Sequence, residues 1–180
     1  MELIQELNRI KNKIGLVGGR LTIHEYDEAE KDITAHINPE NWNIEFHLKR
    51  GFDPLQDKKQ IAYARKKKIL QGTKTILEDI LHHECAHWEL PFHSGYGCPF
   101  DIYNHDKILE AVKAALPENR KAHASYVTNA FEDMIINARC KEFKGDFSGQ
   151  VLFWDQEGLS CKEQGLNFYT PFYEAFVKLN

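Results

Sequence analysis

Hydrophobic and polar positions alternate with two different periods along this chain, and the two periods predict different elements. Near the start, leucines and isoleucines spaced three and four residues apart predict an amphipathic helix over residues 2–14. Residues 32–37 and 42–48 instead alternate apolar and polar side chains, which is typical of half-buried strands. The sequence Asn-Pro-Glu-Asn between these two runs favours a turn. We therefore predict an antiparallel β-hairpin after the first helix.

Helical periodicity dominates the rest of the chain. It predicts four helices, over residues 57–70, 75–89, 105–115 and about 117–143. A capping box formed by Thr75 and Glu78 marks the start of the second of these helices. A short apolar run at 151–154 predicts a strand, and Thr170 followed by Pro171 predicts the start of a last helix. The expected fold class is α+β, with a small antiparallel hairpin or sheet packed on the motif helix and a mainly helical second half.

The length of the chain sets its domain organisation. With 180 residues, 42% of them hydrophobic, it is long enough to bury a core of its own. We expect one domain over residues 1–180, with an N-terminal part at about 1–88 and a C-terminal part at about 89–180. The formal net charge of −4 gives no overall attraction to nucleic acid. The basic residues between 58 and 68 are therefore interpreted as a solvated helix face, and nucleic acid is not an expected partner.

Three further features concern where the protein works. No apolar run approaches the roughly 20 residues that span a bilayer, so no membrane partner is expected. The acidic, amphipathic start lacks the basic and apolar regions of a secretory signal. The cysteines lie far apart, without a Cys-x-x-Cys pair, at Cys85, Cys98, Cys140 and Cys161. This spacing argues against a disulfide scaffold or a structural zinc site, so we expect free thiols and a cytoplasmic protein.

The segment His83-Glu84-Cys85-Ala86-His87 matches the pattern H-E-x-x-H. On a helix, its two histidines lie one turn apart on one face, where both rings can bind one zinc ion. The glutamate beside them is then placed to take a proton from a water molecule bound to the metal. We therefore predict one Zn²⁺ per chain, with His83 and His87 as ligands and Glu84 as the catalytic base.

The helical wheel supports this prediction. His83, Glu84 and His87 fall on the same side as the apolar residues of the helix, whereas His82 points to the other side. Two imidazoles on a buried face need partners, because an unsatisfied buried polar group costs roughly 1–3 kcal/mol. The alternative is a pair of core histidines that bond to the backbone and hold no metal. Asp79, one turn before His83, is either an acceptor for a ligating histidine or an ordinary acid of the first helical turn.

A catalytic zinc site needs a third protein ligand, and one candidate follows the motif closely. His93 lies six residues after His87, which is the spacing of H-E-x-x-H-x-x-G-x-x-H sites. Those sites use the glycine to turn the chain back toward the metal, whereas this chain has Leu90 followed by Pro91. His93 is therefore the weaker candidate.

The stronger candidates lie in the long second-half helix, in the segment Asn129-Ala130-Phe131-Glu132-Asp133-Met134-Ile135-Ile136-Asn137. Two carboxylates and two amides among apolar neighbours are costly there unless they have a partner or a function. Glu132 is the ligand type of sites with two histidines and a glutamate, and we favour it slightly over Asp133. Asp133 forms a stripe with Asn129 and Asn137, in which one member binds metal while the next turn orients it. The alternative is a surface pair of acids bonded to nearby basic residues.

With both segments, the chain resembles the zincin metallopeptidases, and more narrowly the small gluzincin-like domains, including those found with von Willebrand factor A domains. In these domains H-E-x-x-H is followed, some tens of residues later, by a helix with the pattern N-x-x-E-D-x-x-I-N. The resemblance covers roughly residues 32–143. It implies a zinc ion bound by His83, His87 and an acid of the second segment. The chain departs from the better-known gluzincin pattern, because Ile136 stands where an aspartate follows the ligand glutamate by four residues.

The resemblance implies a zinc-dependent hydrolase that cleaves a peptide or protein substrate. Under this hypothesis the strand at 44–48 holds an extended substrate by adding it as a further strand. Candidate donors to the oxyanion are Tyr103, His105, His123 and Tyr126. The main alternative is a zinc- or peptide-binding module of a larger assembly that no longer hydrolyses. A nucleic-acid-binding protein that uses its lysines, or a redox protein that uses its cysteines, is a weaker alternative.

Overall fold

The structure is a computed structural model of the chain, and it describes residues 3–27, 33–38, 40–52, 62, 65–66, 73–89, 104–144, 149–150, 152–153 and 171. In chain order, the elements are helix α1 (Leu3–Ile14), strands β1 (Leu21–Tyr26), β2 (Ile33–Ile37) and β3 (Ile44–Lys49), and helices α2 (Thr73–Glu89), α3 (His105–Ala115) and α4 (Ala124–Lys144). A 3-10 helix, Glu118–His123, leads directly into α4. The described residues therefore form an α+β fold that is mostly helical, as the sequence predicts.

Strand β3 is the centre of the three-stranded sheet. Strand β2 pairs with it in antiparallel orientation, with Ile37 opposite Ile44, so the predicted hairpin is confirmed. Strand β1 pairs with the other side of β3 and runs parallel to it, with Leu21 opposite Ile44. This third strand is not predicted from the sequence, because only Leu21 and Ile23 mark its apolar face. The sheet is therefore mixed rather than purely antiparallel.

Alternation along the strands gives the sheet a buried face and an open face. The buried face packs with α1 and α2 in one apolar cluster, which includes Leu7, Leu21, Ile33, Ile44, Phe46, Leu48, Ile76, Leu77, Ile80 and Leu81. Each large apolar side chain that is fully buried contributes about 1.5–3 kcal/mol relative to an exposed one. The open face carries polar and aromatic side chains. The core therefore holds α2 against one face of the sheet and leaves the other face to solvent.

A buried lysine holds the turn between α1 and β1. Lys11 Nζ donates hydrogen bonds to the carbonyl oxygens of Leu16, Gly18 and Gly19 at 2.7, 2.9 and 2.9 Å. An ammonium has three N–H donors, so the three carbonyls satisfy a residue that is only 2% exposed. Gly19 has a φ of +77°, and a Cβ at this position would collide with the backbone of Trp42. Glycine is therefore required where the chain enters β1.

Two helices agree with their predicted positions, and two differ. α1 and α3 lie within a residue of the predictions. α2 begins at Thr73, two residues before the predicted capping box. The helix predicted from residue 117 is divided, because the exposed residues at its start form 3-10 turns and the α-helix begins only at Ala124. No helix in the described part of the chain has the length and hydropathy to span a membrane.

The predicted strand at 151–154 is wrong for the two residues that the structure describes there. Leu152 and Phe153 are helical, and Leu152 is buried in the core. A four-residue apolar run does not distinguish a short strand from a turn of buried helix by its period. The helix predicted over 57–70 lies mostly outside the described residues. The three positions described within this range, 62, 65 and 66, are helical. The last predicted helix lies outside them except for Pro171.

Candidate metal centre

Helix α2 lies against the sheet and α1 on one side and against α4 on the other, so most of its circumference is covered. His83 and Glu84 are buried, and His87 is partly buried, as the helical wheel predicts. Cys85, which the wheel places at the border of the buried side, is fully buried in the cluster shared with α1 and the sheet. Ala86 packs against Ile136 and Cys140 of α4. The motif therefore lies at the junction of the two helices.

The two motif histidines converge on one carboxylate of α4. Nε2 of His83 and Nε2 of His87 each lie 3.5 Å from Oδ1 of Asp133. The two rings meet edge to face, with their centroids 5.0 Å apart. One ligand atom from each of the three residues lies within 4.8 Å of the other two. Tetrahedral zinc, with bonds of about 2.1 Å, separates its ligand atoms by about 3.4 Å, so these atoms can bind one ion after small adjustments.

Two asparagines of α4 orient this cluster. Nδ2 of Asn129 donates a hydrogen bond to Oδ2 of Asp133 at 3.2 Å, which leaves Oδ1 toward the histidines. Nδ1 of His83 donates a hydrogen bond to Oδ1 of Asn137 at 2.8 Å, so Nε2 is the nitrogen that faces Asp133. Such contacts fix the tautomer and the ring orientation of metal-binding histidines. The stripe of Asn129, Asp133 and Asn137 therefore makes the orienting contacts that its helical spacing predicts.

Glu132 has a different partner. Its side chain is fully buried, and Oε1 lies 2.7 Å from Nδ1 of His105 at the start of α3. Burial raises the pKa of Glu132, and the contact with His105 opposes that rise. Neighbouring residues on a helix are about 100° apart, so Asp133 faces α2 while Glu132 faces α3. Of the two acids predicted as the third ligand, Asp133 is the one that stands beside the histidines, which reverses the slight preference for Glu132.

Glu84 lies between the cluster and the edge of the sheet. Its carboxylate accepts a hydrogen bond from the backbone N–H of Ile37, the last residue of β2. Burial raises the pKa of Glu84 to about 7; the charge of Asp133 adds to the rise, while His83 and the Ile37 N–H oppose it. A carboxylate in this state can both accept and release a proton near neutral pH.

The cluster of His83, His87 and Asp133 favours one positive charge, on the ring of His83. Burial by itself lowers the pKa of His83, but the hydrogen bond and the charge of Asp133, together with Glu84 and Asn137, raise it to about 9. The His83 ring is therefore a cation at neutral pH, paired with the carboxylate of Asp133. A metal cation between the same atoms would take the place of that proton.

Asp79 has partners that its position on α2 does not predict. Its Oδ2 accepts hydrogen bonds from the backbone N–H groups of Gly149 and Gln150 at 2.7 and 3.2 Å. Residues 149 and 150 are helical, so this buried carboxylate joins α2 to a much later segment of the chain. Nothing in the local sequence around Asp79 indicates a partner about 70 residues away.

The remaining predicted site residues divide into two groups. His93 and Tyr103 lie outside the described residues. His105 pairs with Glu132, while His123 and Tyr126 are partly buried in the 3-10 helix and in α4. His105 is predicted only as a donor to the oxyanion. Its contact with Glu132 could have been anticipated, because a buried glutamate needs a polar partner.

The two cysteines that the structure describes, Cys85 and Cys140, are buried and form no disulfide. Burial raises the pKa of the Cys85 thiol to about 12, and the nearby charge of Glu84 adds to the rise. A thiol reacts as the thiolate, so Cys85 is unreactive at neutral pH. This environment weighs against redox chemistry at Cys85.

Comparison with known proteins adds no relative. No protein-family model, no curated protein and no solved structure matches the chain. Its function therefore has to follow from the chemistry of the residues themselves.

Proposed function

We propose that this chain is a zinc-dependent peptidase of the zincin type, in which His83, His87 and Asp133 hold the metal and Glu84 is the general base. The observation that carries the proposal is the convergence of three ligand atoms within 4.8 Å, next to a buried carboxylate that can accept a proton. Two imidazoles and one carboxylate form a ligand set that leaves zinc an open position for water or substrate.

The donor set fits zinc better than it fits magnesium or calcium. Imidazole nitrogen suits zinc, whereas the harder cations take oxygen ligands. A buried carboxylate such as that of Asp133 is costly unless a cation is paired with it. The alternative of two core histidines bonded to the backbone does not account for two Nε2 atoms that face the same carboxylate oxygen. The contacts of Asn129 and Asn137 likewise leave the inward-facing atoms for an ion.

Glu84 is the residue proposed to transfer the proton during hydrolysis. When bound, zinc polarises the scissile carbonyl and lowers the pKa of a water molecule toward about 7. Glu84, adjacent to His83 in sequence, takes the proton of the attacking water and passes it to the leaving nitrogen. The hydrogen bond from Ile37 N–H holds the Glu84 carboxylate at the sheet edge, so that it is not free to turn away.

An extended substrate fits the edge of β2 rather than β3. Strand β3 is paired on both sides, so the predicted pairing of a substrate along residues 44–48 is wrong. In the sheet as described, β2 is an edge strand, and Asn38 N–H bonds to the Asn43 carbonyl across the hairpin. The antiparallel alternation then turns the backbone groups of Ala35 and Ile37 away from β3. A peptide paired along this edge passes beside Glu84, which already contacts Ile37.

The proposal is tested by cleavage of a fluorescently labelled unfolded protein, with the products identified by mass spectrometry. The zinc-loaded parent is expected to cleave it, a chelator to stop cleavage, and added zinc to restore it. Glu84→Gln is expected to keep the metal but to lose about 100-fold or more in rate, because the proton acceptor is gone. His82→Gln, on the same helix but outside the cluster, serves as the control and keeps the parental rate.

Two outcomes would contradict parts of the proposal. Cleavage by Glu84→Gln at the parental rate would remove Glu84 from the mechanism. A parent that binds zinc at His83, His87 and Asp133 but cleaves no unfolded protein would instead support the non-hydrolytic zinc-binding module.

A further inference from the structure

The open face of the sheet carries a second cluster of possible metal ligands, contributed by all three strands. Its members are His24 of β1, His36 of β2, and Glu45 and His47 of β3. The strand register brings them together, because His24 lies opposite His47 and His36 lies opposite Glu45. All four side chains point away from the core, on the face opposite to α2. This cluster is therefore separate from the one on α2 and α4.

One carboxylate oxygen is the common point of the three imidazoles. Oε2 of Glu45 lies 3.9 Å from Nε2 of His24, 3.8 Å from Nε2 of His36 and 3.7 Å from Nε2 of His47. A simple surface ion pair needs one partner and contributes about 0–1 kcal/mol. Three imidazolium cations around one oxygen would also repel one another. One metal cation, shared by Glu45 and neutral histidine rings, fits this arrangement better than three separate ion pairs do.

Aromatic contacts hold the central ring in place. The ring of His47 stacks with those of His24, His36 and Tyr26, at centroid distances of 5.1, 5.6 and 5.6 Å. Nδ1 of His47 lies 3.2 Å from the hydroxyl of Tyr26. In the tautomer that carries its proton on Nδ1, this nitrogen donates to the hydroxyl and Nε2 is left toward Glu45. An outer hydrogen bond of this kind is the usual companion of a metal-binding histidine.

The distances agree with the size of a transition-metal site. One ligand atom each from His36, Glu45 and His47 lies within 4.8 Å of the other two. Tetrahedral zinc needs about 3.4 Å between ligand atoms, so the distances of 3.7 and 3.8 Å to Glu45 exceed that value by only a few tenths of an ångström. The side chains of His36, Glu45 and His47 are 31–58% exposed, which leaves room to close this gap.

We propose that His36, Glu45 and His47, with His24 as a fourth donor, bind a divalent first-row transition cation on the open face of the sheet. Imidazole nitrogen selects this class of cation over magnesium and calcium. Because the ligands come from three strands, the bound ion ties β1 and β2 to β3 and stabilises the sheet by mass action. The site is independent of the proposed peptidase centre, since it shares no residue with it.

The test is a zinc titration of the full chain with His83→Gln, a change that removes a ligand from the other cluster. Calorimetry is expected to show about one zinc bound per chain. Copper added in place of zinc is expected to give an electron paramagnetic resonance spectrum with coupling to imidazole nitrogen. Adding His36→Gln and His47→Gln should weaken binding by more than about 100-fold, because even an outer partner of a ligand is worth 10–100-fold. Lys49→Gln, at the exposed end of β3, serves as the control and keeps the affinity.

The outcomes separate this site from other donors and from the peptidase proposal. If the His83→Gln chain binds no zinc and its copper spectrum shows no nitrogen ligand, the sheet cluster is not a metal site. If binding persists after His36→Gln and His47→Gln, donors elsewhere hold the ion and the proposal is wrong. Circular dichroism checks the fold, and His87→Gln provides a second background should His83→Gln not fold. Cleavage of unfolded protein is read in a separate assay, so either proposal can fail without the other.

Discussion

Asn137 on α4 and His83 on α2 are joined by a hydrogen bond of 2.8 Å between Oδ1 and Nδ1, across 54 positions of sequence. The contact selects the imidazole nitrogen that faces Asp133, because with one proton held on Nδ1 it is Nε2 that has the lone pair once the ring is neutral. It also brings α4 to a defined rotation against α2. An amide outside the proposed ligand set therefore orients one of its members.

Replacing Asn137 tests this relationship. Asn137→Ala is expected to lower zinc affinity by about 10–100-fold, because the His83 ring loses the contact that sets its tautomer and orientation. Competition against a chromophoric chelator measures the change. Ala138→Ser, at the exposed next position, serves as the control and binds zinc like the parent. Parental affinity in a folded Asn137→Ala protein would mean that something other than Asn137 sets the tautomer.

The two acids of α4 are expected to behave differently when each loses its charge. At the proposed zinc site on α2 and α4, called the helix site below, Asp133→Asn should lose tight binding. The oxygen between the two imidazoles becomes a neutral and weaker ligand. Glu132→Gln should keep that zinc, since its carboxylate contacts His105 instead. Elemental analysis after dialysis, with both proteins in a His36→Gln and His47→Gln background, separates the two cases. The opposite pattern would make Glu132 the ligand.

Zinc binding at the helix site is expected to release protons. The pKa of His83 is raised to about 9, so at pH 7 its ring carries a proton that a metal has to displace. Affinity should therefore rise with pH up to about 9 and then level off. Calorimetry in buffers of different ionisation enthalpy, in the His36→Gln and His47→Gln background, is expected to show about one proton released from this ring per zinc near neutrality. Release that stays constant above pH 9 would contradict the assignment.

Lys11 offers a test of the fold that is independent of any metal. Lys11→Met keeps the length of the side chain but removes the donors to Leu16, Gly18 and Gly19. The free energy of unfolding is expected to fall by about 2–4 kcal/mol, because the buried Leu16 carbonyl loses its partner and the other two lose theirs in part. Urea denaturation measures the loss. Lys13→Met, on the exposed side of α1, should change stability by no more than about 0.5 kcal/mol.

The elements and site residues that depend on local spacing could be predicted from the sequence. α1, α3 and the hairpin follow from the positions of apolar residues within a few turns or strand positions. His83, Glu84 and His87 face the interior because the geometry of one helix places them there. Asn129 and Asn137 could be singled out for the same reason, as neighbours of Asp133 one turn away on either side.

The rest of the site depends on contacts between distant segments. Whether Asp133 or Glu132 faces the histidines is decided by the rotation of α4, and that rotation is set where Ile136 and Cys140 pack on Ala86. The predicted hairpin brings His36, Glu45 and His47 of the open face together, but the addition of His24 needs β1 to pair with β3 in parallel. No periodicity within β1 indicates which strand it joins.

The hydrogen bonds of Asp79 bear on when the metal centre can form during synthesis. One of its partners, the Gln150 N–H, lies 71 positions later in the sequence. Asn137, the partner of His83, lies 54 positions after that histidine. A nascent chain that ends before α4 holds the whole H-E-x-x-H motif, yet it lacks Asp133, the Asn137 amide that contacts His83 and the backbone N–H groups that contact Asp79. The entropy cost of closing loops of this size comes before the contacts that they allow can stabilise the fold. The proposed zinc site therefore forms late in synthesis, because the motif depends on residues that are made well after it.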